Sequence, residues 1–411
     1  MAQLPKGSVV LTCGYKIRYA TNNIFYPFHQ NTDFWYLTGF NEPDAAMILE
    51  KTDCPRGFKQ TMFVNPKNEQ AELWDGPRTG VEGVKELFGA DEAYDNTQFS
   101  AHLHKILQAK HVYMDKPSEI PTLLDAHSSL TAAGHKLNTI QPLGKLVQEL
   151  RLIKSDAEIE LMRTSGRVSS KAFVQSMKWT EPGLGEAQLW AKLEYECRMR
   201  GSSALAYVPV VAGGSNALSM HYVRNDMLLK DGDLVLVDAG GEYHGYASDI
   251  TRTWPVNGKF TDAQRDLYQV VLNVNKACIK LCTETSGQSL NGIHNESVRI
   301  MRQELKNIAF PLNHWDLERV LYPHHVGHYL GLDVHDVYDI TRSRKLQKNM
   351  VVTIEPGLYV PYDDRFPKHF QGIGIRIEDN VVIGTSDPFV LTANAPKEII
   401  DVEACCQKIL D

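Results

Sequence analysis

Four carboxylates and one imidazole in the C-terminal half of the chain have the types and surroundings of a metal site. They are Asp238 in LVLVDAGG, Asp249 in GYASDITRTWP, His328 in HHVGHYLGLDVHD, Glu355 in VVTIEPGLYV and Glu378 in GIRIEDN. Hard carboxylate oxygens with a single imidazole suit two divalent ions of the manganese, zinc or cobalt kind, whereas a cysteine-rich set would point to structural zinc. Acids set in runs such as LVLVD and VVTIE are costly to bury unless they meet a cation. Asp238 and Asp249 are eleven apart, room for two strands and a tight turn around Gly241–Gly245, and Glu355 and Glu378 form a second such pair.

Strand alternation refines the picture. It puts Leu234, Leu236 and Asp238 on one face, groups Asp249 with Thr251 and Thr253, and Thr353 with Glu355, and aligns Gly374, Arg376 and Glu378. Arg376 is therefore expected beside Glu378, where a guanidinium keeps a metal-bridging carboxylate ionised and oriented. Four histidines crowd into residues 324–335. A helical turn would put His324 and His328 on one side. His328 is the expected ligand, His324 and His335 are expected in the pocket, and His325 is expected to be structural. His221, in SMHYVRND after the polar GGSN, says little alone. Two ions sharing carboxylates supply a water of lowered pKa and polarise a scissile carbonyl. Glu355 could shuttle the proton to the leaving amine, and histidines could donate to the oxyanion. No nucleophile elbow, P-loop or dinucleotide fingerprint competes with this reading.

The elements that must carry these residues follow from periodicity and turn signals. SVVLTC (8–13), AAMILEK (45–51), QTMFV (60–64) and HVYMD (111–115) read as strands, and 98–109 and 120–131 as helices. That alternation predicts an α/β sandwich over residues 1–148. Polar, turn-rich sequence around Thr131–Pro142 precedes a boundary near Glu149, and residues 149–411 form the second domain. A helix capped at Ser155 or Asp156 opens it, with Ile159, Met162, Val168 and Phe173 as its apolar stripe. Further helices are expected at 186–200 and 262–281, and strands at 204–211, 233–239, 246–254, 350–360 and 373–383. Helices with antiparallel strand pairs make this domain, and the chain as a whole, α+β.

Composition narrows the partners. A length of 411 residues suits two domains. A net charge of −7 leaves no basic footprint, which excludes nucleic acid. Seven scattered cysteines show no disulfide framework and fit a reducing compartment, with Cys278 and Cys282 as core thiols. No apolar run is long enough to span a membrane. MAQLPKGSVV is neither a signal peptide nor an Arg-rich transit peptide.

Longer motifs carry a family resemblance over nearly the whole chain. YPFHQNTDFWYLTGFNEPDA (26–45) and ELWDGPRTG (72–80) resemble the creatinase-type N-terminal domain of the aminopeptidase P group. HYVRND, VDAGGEYHGYASDITRTWPVNGKFT, HHVGHYLGLDVHDV, TIEPGLYV and GIRIEDN resemble its pita-bread catalytic domain. The resemblance implies that Asp238 chelates one metal ion, that Asp249 and Glu378 bridge two, and that His328 and Glu355 hold the other. It implies manganese as the metal, His221 and His335 as contacts to the scissile group, and His324, Arg376 and Tyr359 as supporting pocket residues. It further places Trp74 on a loop that reaches a neighbouring subunit's site. That placement and the aromatic-rich N-terminal domain lead to a homo-oligomer, a dimer at least, as the expectation. ELWDGPRTG, RLIKSDAEIE, PVVAGGSN and TRTWPVNGKFTDAQRDLY resemble the mitochondrial branch, that of aminopeptidase P3 and the intermediate cleaving peptidases. The implied activity is removal of one N-terminal residue from a peptide or protein, trimming a bulky residue of mitochondrial processing intermediates. A strict Xaa-Pro aminopeptidase is the alternative. A prolidase-like dipeptidase and a non-catalytic peptide-binding module lie further off. The implied location is the mitochondrion, with the cytoplasm as alternative.

Overall fold

The structure is a computed structural model that describes residues 1–106, 109–114, 128 and 140–409. It divides into two compact units, Met1–Leu150 and Arg151–Asp411.

The first unit is built on a six-stranded mixed sheet. Its order is Glu92–Asp95, Phe58–Val64, Ala46–Lys51, Ser8–Cys13, His111–Met114, Ile140–Pro142. Ser8–Cys13 runs antiparallel to Ala46–Lys51 and parallel to His111–Met114. Its apolar residues divide between two faces. Val9, Leu11 and Cys13 pack with Ile48, Phe63, Leu103 and Ile106, while Val10 packs with Met47, Phe34 and Val84 on the other face. Both faces are thus covered, as the alternation of strands and helices predicts. The helix expected at 98–109 is seen as Phe99–Ile106. The one expected at 120–131 lies outside the described residues, apart from residue 128. Thr32–Thr38, Glu69–Asp75 and Gly80–Phe88 are further helices. Trp74 therefore sits in the last turn of a short helix and not on a loop; Asn68 caps that helix by accepting from Ala71 N.

The second unit opens with the helix Asp156–Trp179, held at its start by a reciprocal Ser155–Glu158 capping box. Its inward side chains, Met162, Val168, Phe173 and Met177, are buried. Helices Glu186–Arg198, Asp262–Lys280, Leu290–Asn307 and Ile399–Cys406 follow. The last two escaped the sequence reading. All seven cysteines are free, and Cys278 and Cys282 are fully buried in the core of this unit. Among the described residues no helix is long and apolar enough to cross a membrane.

The strands of this unit pair antiparallel, and three of the five expected ones are interrupted where an acid sits. The expected strand 246–254 is two pieces, Tyr246–Ala247 and Ile250–Pro255, with Asp249 in the gap. Residues 350–360 divide into Val351–Ile354 and Gly357–Tyr359 around Glu355. Residues 373–383 divide into Gly374–Arg376 and Asp379–Val382 around Glu378. Only Asp238 stays inside its strand, Leu234–Ala239. The long hairpin nevertheless keeps one register, since Ala239 faces Ile250 and Glu242 faces Ala247. Its tip, His244–Gly245, has positive φ at both residues, the turn whose twist suits a hairpin.

Two glycines permit the close approaches beside these interruptions. A Cβ on Gly240 would stand 1.7 Å from the Ser248 carbonyl oxygen, and one on Gly327 would stand 1.9 Å from the Thr353 oxygen. The first guards the approach to Asp249, the second the pairing of His328 with the Glu355 strand. Gly240→Ala forces Ser248–Asp249 to move, an overpacking that costs about 1–3 kcal/mol. The urea midpoint of the metal-free protein should fall accordingly, and an unchanged midpoint would show that the hairpin yields without cost.

Candidate metal centre and active site

Two backbone alignments bring the sequence-distant acids together. In the first, residues 249–253 run antiparallel to 376–380. Glu378 N donates to Thr251 O (3.0 Å), and Asp249 N donates to the Asn380 side-chain oxygen (3.0 Å) while the Asn380 amide donates back to Asp249 O. In the second, residues 326–330 run antiparallel to 351–355. Thr353 N donates to His328 O (2.9 Å) and Glu355 N to Val326 O (2.7 Å). His324 and His328 are therefore not one helical turn apart; they reach the same cavity from extended chain.

Oxygens of Asp249 and Glu378 and a nitrogen of His328 all lie within 4.8 Å of one another. His328 Nε2 is 3.3 Å from Asp249 and 3.7 Å from Glu355. His328 Nδ1 donates to Tyr329 O (2.9 Å), which fixes the tautomer that leaves Nε2 free to bind a metal. Glu378 Oε1 is buried and has no hydrogen-bond partner. A fully buried carboxylate oxygen facing other acids without a donor is what a cation must satisfy. The donor set therefore fits a divalent metal.

Supporting residues tie the acids to one another. Arg376 is central. Its Nη2 donates to Asp238 (2.6 Å), its Nη1 to the Tyr359 hydroxyl (2.8 Å) and its Nε to Thr251 Oγ1 (3.1 Å). Thr251 in turn donates to Glu378 Oε2 (2.6 Å). Arg376 thus pairs directly with Asp238 and only through Thr251 with Glu378. The single residue of backbone between Arg376 and Glu378 leaves the strand, so the alternation that aligned them does not hold there. The Tyr359 hydroxyl, accepting from Arg376, donates to His324 Nε2 (2.9 Å), and His324 Nδ1 donates to His325 O. His325 turns away to Gly327 O and Asn291 and stacks on His294.

Sequence reasoning missed three residues here. Tyr207 places its hydroxyl between Asp238 Oδ1 (2.6 Å) and Asp249 Oδ1. Asn380 fixes the Asp249 backbone. Asn275, on the helix Asp262–Lys280, donates to Ile354 O (3.0 Å) and Ile377 O (3.2 Å), the carbonyls just before Glu355 and Glu378. The buried amide thereby ties together the ends of the two strands that lead into the acids. Lys397 bonds Asn275 Oδ1 (2.8 Å) and Asp379 (2.6 Å), and Asp379 also pairs with the fully buried Arg252 (2.7 Å). A polar residue amid an apolar helix face, as at Asn275, was the available signal.

A cavity of about 470 Å³ opens onto this floor. Asp238, Asp249, His328, Glu355, Glu378 and Arg376 line it together with Tyr207, His221, His324 and His335, and Val208, Val210, Met220, Val223 and Val334 supply apolar wall. Tyr359 lies behind His324, and Trp74 belongs to the other unit. His335 stands edge-on to His328, ring centres 4.5 Å apart. Burial pushes the Glu355 carboxyl up to about 7 against the pull of His328 and Arg376. Burial and the neighbouring acids hold Glu378 far above the usual carboxylate range. Burial alone would lower the His328 imidazole, but Asp249 and Glu355 raise it to about 9. Burial and Arg376 depress His324 to about 3, and burial with His328 lowers His335.

Buried hard donors on the floor of an open cavity, in a frame of helices and antiparallel strands, define a metal-dependent hydrolase. The chain belongs to metallopeptidase family M24, whose model matches residues 160–385, while the aminopeptidase P N-terminal domain matches residues 1–113. The frame of the second unit is the pita-bread fold, and the protein is a metalloaminopeptidase of the aminopeptidase P group. Intermediate cleaving peptidase 55 of Saccharomyces cerevisiae is 45% identical over 98% of this chain and 81% of its own length. Its crystal structure, lacking 58 N-terminal residues, covers 99% of this chain, and 95% of that chain is covered, at a TM-score of 0.92. Xaa-Pro aminopeptidase 3 of Homo sapiens is 44% identical over 95% of this chain and 79% of its length. Intermediate cleaving peptidase 55, mitochondrial, of Arabidopsis thaliana is 39% identical over 97% and 79%.

A metal needs these ligands deprotonated. With Glu355 near 7 and His328 near 9, protons occupy the metal-free site at neutral pH and must leave as an ion enters. Affinity for divalent ions should therefore fall as pH drops through about 7, with protons released on binding. Calorimetric titration of the metal-free protein at about pH 6.5, in two buffers of different ionisation heat, measures that release; identical heats would contradict it.

Proposed function

We propose that this protein is a two-metal aminopeptidase that removes a single residue from the free N-terminus of peptides or proteins, trimming bulky residues from mitochondrial processing intermediates. The observation that carries the reading is the unpartnered Glu378 Oε1 among Asp238, Asp249, His328 and Glu355 on the cavity floor. In this reading those five residues would hold two divalent ions, manganese by the family resemblance, and Asp249 and Glu378 would serve both. When bound, such a pair lowers the pKa of a water and polarises the scissile carbonyl.

The chain's own groups supply the rest. Glu355 lies on the cavity floor, where it can accept the proton of the attacking water and pass it to the leaving amine. His335, kept neutral by burial, and His221 of the same cavity lining can donate to the developing oxyanion. Arg376 orients Asp238 through their 2.6 Å pair and offsets part of the upward push that burial gives its carboxyl. The acids attract the substrate's α-ammonium, which limits attack to the first peptide bond. Val208, Val210, Met220, Val223 and Val334 offer apolar surface to a large first side chain. The names of the yeast and Arabidopsis relatives support the cleaving of intermediates, and the Arabidopsis name supports the mitochondrial location. The name of the human relative supports the second reading, an Xaa-Pro aminopeptidase. Leu73 and Trp74, four-fifths exposed, support the homo-oligomer as part of this proposal.

Asp249→Ala or Glu378→Ala should abolish turnover and lower the bound metal, since each is proposed to serve both ions. His221→Ala and His335→Ala should keep the metal and lose about 10²–10³ in rate. Elemental analysis beside kinetics separates the two groups, and two ions retained in inactive Asp249→Ala would remove its shared role.

Specificity is read with Tyr-Ala-Ser and Tyr-Pro-Ser peptides, each also with an acetylated amine. Release of tyrosine from the first free peptide is the expected outcome, with the acetylated forms inert. Activity on the proline peptide alone would favour the Xaa-Pro reading, and cleavage of an acetylated form would remove the amine requirement.

A further inference from the structure

Glu186 is fully buried, and among the described residues no lysine or arginine pairs with it. It is the first residue of the helix Glu186–Arg198, where the helix dipole favours a negative charge. Its carboxylate accepts four hydrogen bonds. Oε1 takes Gly213 N (2.8 Å) and Asn216 Nδ2 (2.9 Å), and Oε2 takes the Tyr222 hydroxyl (2.9 Å) and Met227 N (2.9 Å). All four donors belong to the one segment Gly213–Met227. That segment carries Met220, His221 and Val223 to the cavity wall.

The rest of the segment is tied down at its ends. Glu186 N donates to Met227 O (2.9 Å), and Leu229 N to Leu184 O (2.8 Å). Asn225, left-handed at φ 50°, accepts from Val211 N and donates to Pro209 O, both at 2.8 Å. Between these anchors, no hydrogen bond from His221 to the protein is seen among the described residues. Its place is set by the chain on either side of it.

We propose that Glu186 is a positioning residue for the reaction: its buried carboxylate gathers Gly213, Asn216, Tyr222 and Met227 and so presets His221 and the apolar wall of the first-residue pocket before substrate arrives. The inference rests on the role given above to His221. Pre-ordering of this kind spares the substrate the cost of ordering the segment on binding. A carboxylate is required and an amide will not serve. Each oxygen accepts from one backbone N–H, Gly213 on one side and Met227 on the other. A glutamine, in either orientation, turns its NH₂ against one of those backbone donors.

The test uses the metal-loaded full chain and four proteins: the parent, E186Q, H221A and the double variant. E186Q should retain its metal by elemental analysis and lose at least tenfold in kcat, and the double variant should be no slower than H221A alone. Tyr222→Phe, which removes one donor without burying a new one, should show a smaller loss in the same direction. The exposed Arg224 lies inside the segment and gives a readout free of activity: trypsin should cut after it at least tenfold faster in E186Q than in the parent. Full kcat in E186Q, or losses that multiply in the double variant, would overturn the proposal. Equal cleavage at Arg224 in E186Q and parent would overturn it as well. H221A at the parent's rate would instead overturn the catalytic reading of His221, and cleavage at Arg224 would still report whether Glu186 orders the segment.

Discussion

Four carboxylates crowded into a buried space repel one another, and the second unit is arranged around that repulsion. Glu378 is 1% exposed and Asp249 5%. The cluster has one guanidinium, Arg376, and one imidazole, His328, to set against it. That leaves an excess of negative charge where the dielectric is low, which only bound cations or protons can offset. The raised Glu355 and His328 express the proton alternative, and bound divalent metal is the other. The site is therefore unfavourable by itself and favourable when loaded, which is the condition for tight binding of a hard ion.

A cluster of this kind needs a rigid mounting. The strands stop at Asp249, Glu355 and Glu378, so that each acid leaves the plane of its sheet and turns to the cavity floor. Buried side chains fix the chain at these stops: Asn380 at Asp249, and Asn275 at Ile354 and Ile377. Below them Arg252, Asp379 and Lys397 form a closed ionic set with its own hydrogen bonds. A buried polar layer whose members are all satisfied specifies one arrangement, and the acids inherit that precision.

The cavity's other wall is held by different means. His221 and the apolar residues around it ride on irregular chain, which has no ladder to fix it. A single carboxylate, Glu186, collects that chain, much as Arg376 collects the acids on the floor. Floor and wall thus each depend on one multivalent charged side chain, cationic beneath the acids and anionic behind the histidine.

The sequence by itself determined the type of chemistry and the frame. Acids within apolar runs marked Asp238, Asp249, Glu355 and Glu378, because burial of such groups needs a cation. Capping residues and periodicity placed the helices beginning at Asp156 and Asp262 to within a residue or so, because those signals are local. Ser8–Cys13 was read to the residue for the same reason. What only the tertiary structure decided is which distant groups meet. Alternation along one strand could not tell that the strands break at the acids, so it set Arg376 against Glu378 when the guanidinium faces Asp238, contributed by a strand more than a hundred residues away. Tyr207, Asn380 and Glu186 were silent in the sequence for a related reason, and Asn275 showed only as a polar residue on an apolar helix face. Each satisfies backbone or carboxylate groups brought to it by folding, and no spacing along the chain records a hydrogen bond made across it.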